Sequence, residues 1–286
     1  METTPTQHWT EEITPKVSLF EIRLGEVWKY RDLLMLFVKR DFIATYKQTI
    51  LGPLWHFIQP ILTTIMFLIV FGVIAKIPTD GVDAIPFYMS GIAIWNYFSA
   101  CLTGTSNTFV GNAAIFGKVY FPRLVMPLSV IISNIIKFGI QFLLLLLVLV
   151  YYGITKGHFH FGASWLLVPV LVVLMAGLGL GFGIIISSLT TKYRDFTVLI
   201  GFGIQLLMYA TPIVYPASYI KAVSKHGYLI DYNPLTAVVE GFRYAVFGKA
   251  DFHIASLGYS CAWMVAVLLF GVIIFNKTEK SFMDTV

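Results

Sequence analysis

Charged side chains are scarce in this chain. Lysine, arginine, aspartate and glutamate together make up only 12% of its 286 residues, whereas hydrophobic residues make up 57% and the mean hydropathy is +0.79. A water-soluble domain of this length needs a far larger charged surface, so a soluble globular fold is excluded. The composition indicates a polytopic membrane protein.

Metal ligands and reactive cysteines are equally sparse. Cys101 and Cys261 each lie inside an apolar run without metal-ligand spacing, and both are predicted to be small packing residues. The histidines are scattered and form no H-E-x-x-H pattern. The sequence therefore predicts no catalytic residue, no cofactor and no metal site.

The basic residues outnumber the acidic ones, 20 to 15, which gives a net charge of +5. Most of them lie beside apolar runs, where lipid headgroups and membrane topology explain them better than nucleic acid does. We therefore expect membrane lipids as partners and no nucleic acid.

Six apolar runs predict six transmembrane helices within residues 54–275, at 54–75, 86–110, 124–152, 164–189, 196–215 and 254–275. Residues 1–27 read as a polar cytosolic lead-in, residues 28–53 as a basic amphipathic helix in the headgroup layer, and residues 276–286 as a cytosolic tail. With the N-terminus inside, most Lys and Arg residues fall on the cytosolic side. The predicted fold is an all-α polytopic membrane protein with both termini cytosolic.

Residues 212–247, between the fifth and sixth runs, hold two shorter apolar pieces. Asn233 as N-cap, Pro234 at the first position and Gly248 just past the end predict a helix too short to span a bilayer. Glu240 and Arg243, one turn apart on that helix, are costly in lipid, and we expect them to pair and to help hold the region. The pattern favours a re-entrant or interfacial pair of short helices.

The loop of residues 111–123 contains Gly111 and Gly117-Lys118, which invite comparison with a phosphate-binding loop. Five residues separate its glycines, and Val119 follows Lys118 where a P-loop has Ser or Thr, so the loop is not an ATP site. Its aromatic residues are compatible with docking in a groove of a soluble partner or with an ordinary interfacial turn.

The glycine-rich run 177–183 lies inside an apolar run. Gly177 with Gly181, and Gly179 with Gly183, are pairs of small residues four apart, which let helices approach closely. No soluble strand precedes them, so a dinucleotide fingerprint is not indicated.

Lys137 is the one ionisable residue deep in a predicted span. Its side chain either snorkels to the inner headgroups or contacts a lipid-linked phosphate. The abundant aromatic residues either form interfacial belts and packing contacts or line a channel along which a sugar polymer slides. The channel candidates are Tyr97, Phe98, Tyr209 and Tyr215.

Several separated motifs together resemble one family, the membrane subunits of type 2 ATP-binding-cassette exporters of polysaccharides, which serve O-antigen, capsule and teichoic acid export. Their order and spacing match from residue 28 to residue 286. Thr45 departs from the pattern, because many members carry a basic residue there. The motifs are Arg40-Asp41, Tyr46-Lys47-Gln48-Thr49 with Leu51-Gly52 and Trp55, Gln59-Pro60, the run from Lys118 to Arg123, Tyr193-Arg194-Asp195, Asn233-Pro234, and Glu279 with Phe282 and Asp284.

This resemblance implies a homodimer in the bacterial inner membrane, with two copies of a separate ATPase and a lipid-linked polysaccharide as cargo. It implies an outer gate over residues 212–247, with Asn233, Pro234, Glu240 and Arg243. It implies ATPase coupling through two segments, with residues Arg40, Asp41, Tyr46, Lys47, Phe116, Lys118, Tyr120, Phe121 and Arg123. The alternatives are the same architecture carrying a drug or small lipid, and a membrane-embedded transferase.

Overall fold

The computed structural model describes residues 24–47, 49–157, 162–193 and 195–282. Over these residues the chain forms α-helices joined by turns and short 3-10 or π segments, without a β-strand, which confirms the all-α fold class. The helices are α1 (Leu24–Lys29), α2 (Arg31–Tyr46), α3 (Trp55–Phe67), α4 (Ala84–Ser106), α5 (Thr108–Phe116), α6 (Val125–Lys156), α7 (Leu167–Thr190), α8 (Phe196–Tyr209), α9 (Ala217–Val223), α10 (Pro234–Phe247) and α11 (Ile254–Phe282).

Some sequence motifs fall outside this description. Gln48, Arg194 and Asp284 lie outside the described residues, as do the side chains of Tyr46 and Phe282. The lead-in of residues 1–27 is described only from residue 24 onward.

Four segments are long and apolar enough to cross a membrane: Gly52–Ile74, Val125–Lys156, Ala163–Thr190 and Ile254–Glu279. They coincide with the first, third, fourth and sixth predicted spans. The first consists of a 3-10 turn, α3 and a π-helix over Leu68–Ile74. In it, Pro60 interrupts the backbone ladder, and the Thr64 hydroxyl donates to the Pro60 carbonyl at 2.7 Å.

The second predicted span corresponds to α4, which has 23 residues but is less apolar than the other four segments. It lies in the middle of the subunit, packed against α6 and α7, and most of its side chains are buried. Protein rather than lipid surrounds its polar groups, which lowers their cost. The predicted run 86–110 breaks at Asn107, where α4 ends and α5 begins.

The fifth predicted span, 196–215, is helical only as α8, which has 14 residues. At 1.5 Å per residue α8 covers about 21 Å, less than the hydrocarbon core of a bilayer. Residues 210–216 then form turns, because Pro212 and Pro216 cannot continue the helical hydrogen bonds. The count of six spans and the cytosolic position of the termini therefore stay predictions.

The N-terminal amphipathic segment differs from the predicted helix over 28–53. It breaks at Tyr30 into α1 and α2, and α2 ends at Tyr46. Its apolar residues point two ways, since Leu34 and Phe37 are buried against the bundle while Met35 and Leu36 are exposed. The segment thus presents apolar side chains both to its own subunit and away from it.

The helix α10 begins and ends as its sequence signals predict. The Asn233 side chain accepts a hydrogen bond from the Leu235 amide at 3.0 Å, Pro234 occupies the first position, and Gly248 takes a left-handed conformation with φ of 69°. Of the two cysteines, Cys101 is buried as predicted, whereas Cys261 is exposed on the single subunit.

The glycine-rich run of α7 packs closely on two helices, as predicted. A Cβ atom at Gly181 would lie 2.9 Å from Val267 Cγ1 of α11, and one at Gly183 would lie 2.6 Å from Thr105 Cβ of α4. The pairs of small residues thus face different neighbours, and α7 is held between α4 and α11.

We expect Gly183→Ala to destabilise the subunit by about 1–3 kcal/mol, because the added methyl group overlaps α4 and the helices must move apart. The measurement is the midpoint of thermal unfolding in detergent. The matched control is Gly139→Ala on α6, where nothing lies within 4 Å of an added Cβ. Equal midpoints for the two variants would contradict the close approach of α7 and α4.

Candidate functional site

At the end of the subunit that carries α2, buried aromatic rings link several segments of the chain. Neighbouring ring centroids lie 5.7 Å apart between Phe37 and Phe121, 5.6 Å between Phe121 and Phe116, 6.2 Å between Phe116 and Phe109, and 4.6 Å between Phe109 and Phe275. We call these five residues the aromatic chain. It joins α2, the loop of residues 117–124, α5 and α11 into one packed unit.

Arg123 fixes the same loop to α11. Its Nη1 donates to the backbone carbonyl of Glu279 at 2.7 Å, its Nε lies 3.7 Å from the Glu279 carboxylate, and its guanidinium lies over the Phe116 ring. Burial lowers the pKa of Arg123 despite the nearby carboxylate, and the guanidinium remains charged. Arg123 therefore positions the loop within its own subunit.

The tip of the loop is exposed. Val119 is 57% and Tyr120 62% accessible, and Lys118 is exposed beside them. We call Lys118, Val119 and Tyr120 the docking tip. These side chains extend away from the aromatic chain and are available to a partner.

The nine predicted coupling residues thus divide by location. Phe116, Phe121 and Arg123 act inside the subunit, whereas Lys118 and Tyr120 face outward. On α2, Arg40 Nη2 lies 2.8 Å from the Asp41 carboxylate. Lys47 is exposed just after α2, and Tyr46 contributes only its backbone position. Exposed apolar residues at this end include Trp28, Met35, Leu36 and Val119.

At the opposite end, Arg243 occupies the centre of the predicted gate region. It is 1% exposed, and its guanidinium donates to the carbonyls of Pro212 and Ile213, each at 2.7 Å. It also donates to Glu240 Oε1 at 3.0 Å and lies over the Phe87 ring, 3.8 Å from the centroid. The predicted pair exists, but it is buried and binds a turn of the backbone as well.

Two further contacts complete this arrangement. Glu240 Oε1 accepts the amide of Ala217 at the start of α9 at 3.0 Å. Gly91 of α4 makes room for the cluster, since a Cβ atom there would lie 2.8 Å from the Ile213 carbonyl and 3.0 Å from Arg243 Nη2. The Asn233 amide donates to Thr211 Oγ1 at 2.9 Å. These contacts tie residues 211–213 and the start of α9 to α10 and its N-cap.

A surface ion cluster holds the loops of the same region. Lys221 Nζ lies 2.9 Å from Asp231 and 2.8 Å from Asp251. Partial burial opposes its protonation, but the two carboxylates prevail and raise the pKa of Lys221 above its ordinary value. The cluster joins α9 to the loop before α11.

The four channel candidates occupy different environments. Tyr97 and Phe98 are buried in the bundle, with Tyr97 against Phe138 and Phe98 against Trp95. Tyr209 is 48% exposed, and Tyr215 is partly buried and donates from its hydroxyl to the Tyr209 carbonyl at 2.6 Å. Tyr97 also lines the cavity that contains Lys137. A channel role stays a prediction for all four residues.

Lys137 is partly buried on α6 and lines a cavity between α3, α4 and α6. No ion pair joins it to a carboxylate within the part of the chain that the structure describes. Of the other residues that line this cavity, Gln59 belongs to a family motif and Tyr97 is a channel candidate, whereas Asn96, Thr103 and Gln141 were not predicted from the sequence.

Residues 32–247, from the start of α2 to the end of α10, match the family described as ABC-2 type transporter. The chain belongs to this family. The match covers both α2 and the residues between α8 and α10, so both are parts of an ABC-2 membrane domain. Within the described residues, no group of three or more His, Cys, Asp or Glu side chains is arranged to hold a metal ion.

Relatives of known name align with this ABC-2 chain over nearly its whole length. An O-antigen export system permease protein RfbA of Klebsiella pneumoniae is 28% identical over 255 residues, covering 88% of this chain and 94% of the relative. RfbA of Myxococcus xanthus is 26% identical, covering 91% and 98%. The polysialic acid transport protein KpsM of Escherichia coli is 24% identical, covering 86% and 93%. The resemblance carried by the sequence motifs is confirmed.

We expect Arg243→Lys to destabilise this ABC-2 subunit by about 3 kcal/mol, because one ammonium cannot bind two carbonyls and Glu240 as the planar guanidinium does. Thermal unfolding in detergent measures the loss. The control is the same change at exposed Arg31, whose Nε lies 3.9 Å from Asp32 and which should shift stability little. Wild-type stability of Arg243→Lys would show that the carbonyl contacts are dispensable.

Proposed function

We propose that this chain is the membrane subunit of an ATP-driven exporter that moves a lipid-linked polysaccharide outward across the bacterial inner membrane. The observation that carries the proposal is the alignment of nearly the whole chain with permeases named for O-antigen export and polysialic acid transport. The chain holds no ATP-binding motif, so hydrolysis belongs to a separate ATPase. The subunit itself is not an enzyme.

The docking tip is the part that we assign to the ATPase. It carries one cation and two apolar side chains, all exposed, on a loop that Arg123 and the aromatic chain hold rigidly. Because close-packed rings transmit displacement rather than absorb it, motion of the tip moves α2 and α11 with it. ATP-driven closure of the partner would reach the spans by this route.

The exposed face of α8 supports a two-fold assembly around a channel. None of its side chains is buried in the single subunit. Gly201, Gln205 and Tyr209 follow each other at intervals of four and share one exposed side. An amide facing lipid would be costly, so Gln205 fits a water-filled channel or a second copy better. This geometry and the commonness of two-fold symmetry support a homodimer, and we propose that each subunit of it binds one copy of the ATPase.

The proposal is tested by a native pull-down of the full chain from its own membranes, together with deletion of its gene. We expect an ATPase to co-purify in a one-to-one ratio and lipid-linked glycan to accumulate on the inner leaflet of the deletion strain. An ATPase without glycan accumulation would point to a drug or small lipid as cargo. A chain that purifies alone would contradict the exporter assignment.

We expect Lys118→Glu and Tyr120→Ala to lower the amount of co-purified ATPase several-fold without changing thermal stability, because both side chains are exposed. Arg123→Glu should lower both the amount of co-purified ATPase and the thermal stability, since it also breaks the contact with Glu279. The control is Lys225→Glu in the loop after α9. Undiminished ATPase with Lys118→Glu and Tyr120→Ala together would remove the docking role from this loop.

We expect Gln205→Leu with Tyr209→Ala to reduce export while leaving the amount of bound ATPase unchanged, because the two residues are assigned to the channel wall. Export is followed as glycan reaching the cell surface. Tyr151→Ala, at an equally exposed tyrosine near the end of α6, serves as control. Normal export by the double variant would place the channel elsewhere.

A further inference from the structure

Three helices carry polar side chains at the end of the bundle where α2 lies. His56 and Gln59 lie on α3, Asn96 and Thr103 on α4, and Lys137 and Gln141 on α6. All six line one cavity of about 360 Å³, which we call the polar cleft. The two residues are three positions apart on α3, seven apart on α4 and four apart on α6. Such spacings place both side chains on the same side of a helix, so each helix presents a polar stripe to the other two. Apolar spans need no such stripes for packing.

The polar cleft carries net positive charge. Lys137 supplies the cation, and the structure pairs it with no carboxylate among the described residues. Asp41 borders the adjoining part of the cavity, but Arg40 donates to it from Nε at 2.9 Å and from Nη2 at 2.8 Å. Arg40 thus neutralises most of the Asp41 charge, and the attraction between Asp41 and Lys137 compensates the charge of Lys137 only in part.

Hydrogen-bond donors accompany this charge. Asn96 Nδ2 donates to Gln141 Oε1 at 3.2 Å, which uses the acceptor of Gln141 and leaves its amide N–H groups for another partner. Gln59 is exposed and Thr103 also lines the cavity. A cation surrounded by amides and hydroxyls is suited to the oxygens of a phosphate.

The position of the polar cleft suits a lipid headgroup. Lys137 is about 18 Å along α6 from Val125, and α2, with Asp41 and Ala44, borders the mouth of the cavity. Apolar side chains beside the cleft are exposed, among them Leu62 of α3 and Ile135 and Ile136 of α6. Acyl or prenyl chains can pack on these residues while the headgroup enters the cleft.

We propose that the polar cleft binds the phosphate-bearing headgroup of a membrane lipid, with Lys137 as the charge contact and Asn96, Gln141 and Gln59 as hydrogen-bonding neighbours. Two lipids offer this chemistry: a glycerophospholipid of the bilayer, and the polyprenyl phosphate that would carry the cargo. Only the second source rests on the proposed function. The binding itself does not.

The experiment is native mass spectrometry of the full chain, purified from its own membranes and then exchanged into phosphatidylcholine nanodiscs titrated with phosphatidylglycerol or with undecaprenyl phosphate. We expect wild type to retain one of the two phosphate lipids and Lys137→Gln to bind it about tenfold more weakly, as loss of one charge-assisted contact predicts. Lys137→Arg should bind nearly as wild type does.

Two further variants make the result specific. Gln141→Leu should weaken binding with the charge intact, and Lys192→Gln, at an exposed lysine after α7, should leave it unchanged. Preference for phosphatidylglycerol identifies a structural lipid, and preference for undecaprenyl phosphate identifies the cargo carrier. Equal retention by wild type and Lys137→Gln, with equal thermal stability, would overturn the proposal. No ATPase or export readout is involved, so failure here leaves the exporter assignment intact.

Discussion

The guanidinium of Arg243 is the group on which the end of the subunit that carries α10 depends. Residues 210–216, between α8 and α9, are not helical, and the carbonyls of Pro212 and Ile213 face the buried Arg243, so each needs a partner from the protein. Arg243 satisfies those of Pro212 and Ile213, while Glu240 compensates its charge and holds the start of α9. A buried ion pair is a poor source of stability by itself. Here it makes an irregular turn possible.

The other end of the subunit solves a related problem with aromatic packing. The loop of residues 117–124 keeps backbone hydrogen bonds to α5 only at its start, through Gly117, Lys118 and Val119. It is held further by Phe116 and Phe121 inside and by Arg123 on Glu279. Only the docking tip is left without such contacts. A rigid loop with an exposed end is suited to transmit motion, because a displacement of the exposed end passes to the helices instead of rearranging the loop.

Local signals explain which parts of this structure the sequence could predict. The caps of α10 and the close packing at Gly181 and Gly183 depend on residues near each other in the chain, and both predictions are confirmed. The end of α8 also has a local cause, in Pro212 and Pro216, although the apolar run continues to residue 215. The position of α2 after the break at Tyr30 depends instead on packing partners from distant segments, such as Phe121 against Phe37. The polar cleft could not be predicted for the same reason. Each of its three helices contributes only a few polar residues, and only the fold brings Asn96 and Gln141 together.

The helix α2 connects the two assignments made for this end of the subunit. Its Phe37 belongs to the aromatic chain that supports the docking tip, and one turn later Asp41 borders the cavity that contains Lys137. A shift of α2 relative to α6 therefore changes both the support of the tip and the width of the cleft mouth. If a lipid phosphate occupies the cleft, it favours the position of α2 that fits it, and by linkage a partner at the tip that favours the same position binds more tightly. Lipid loading and engagement of the ATPase are then coupled through one helix, without contact between the two ligands.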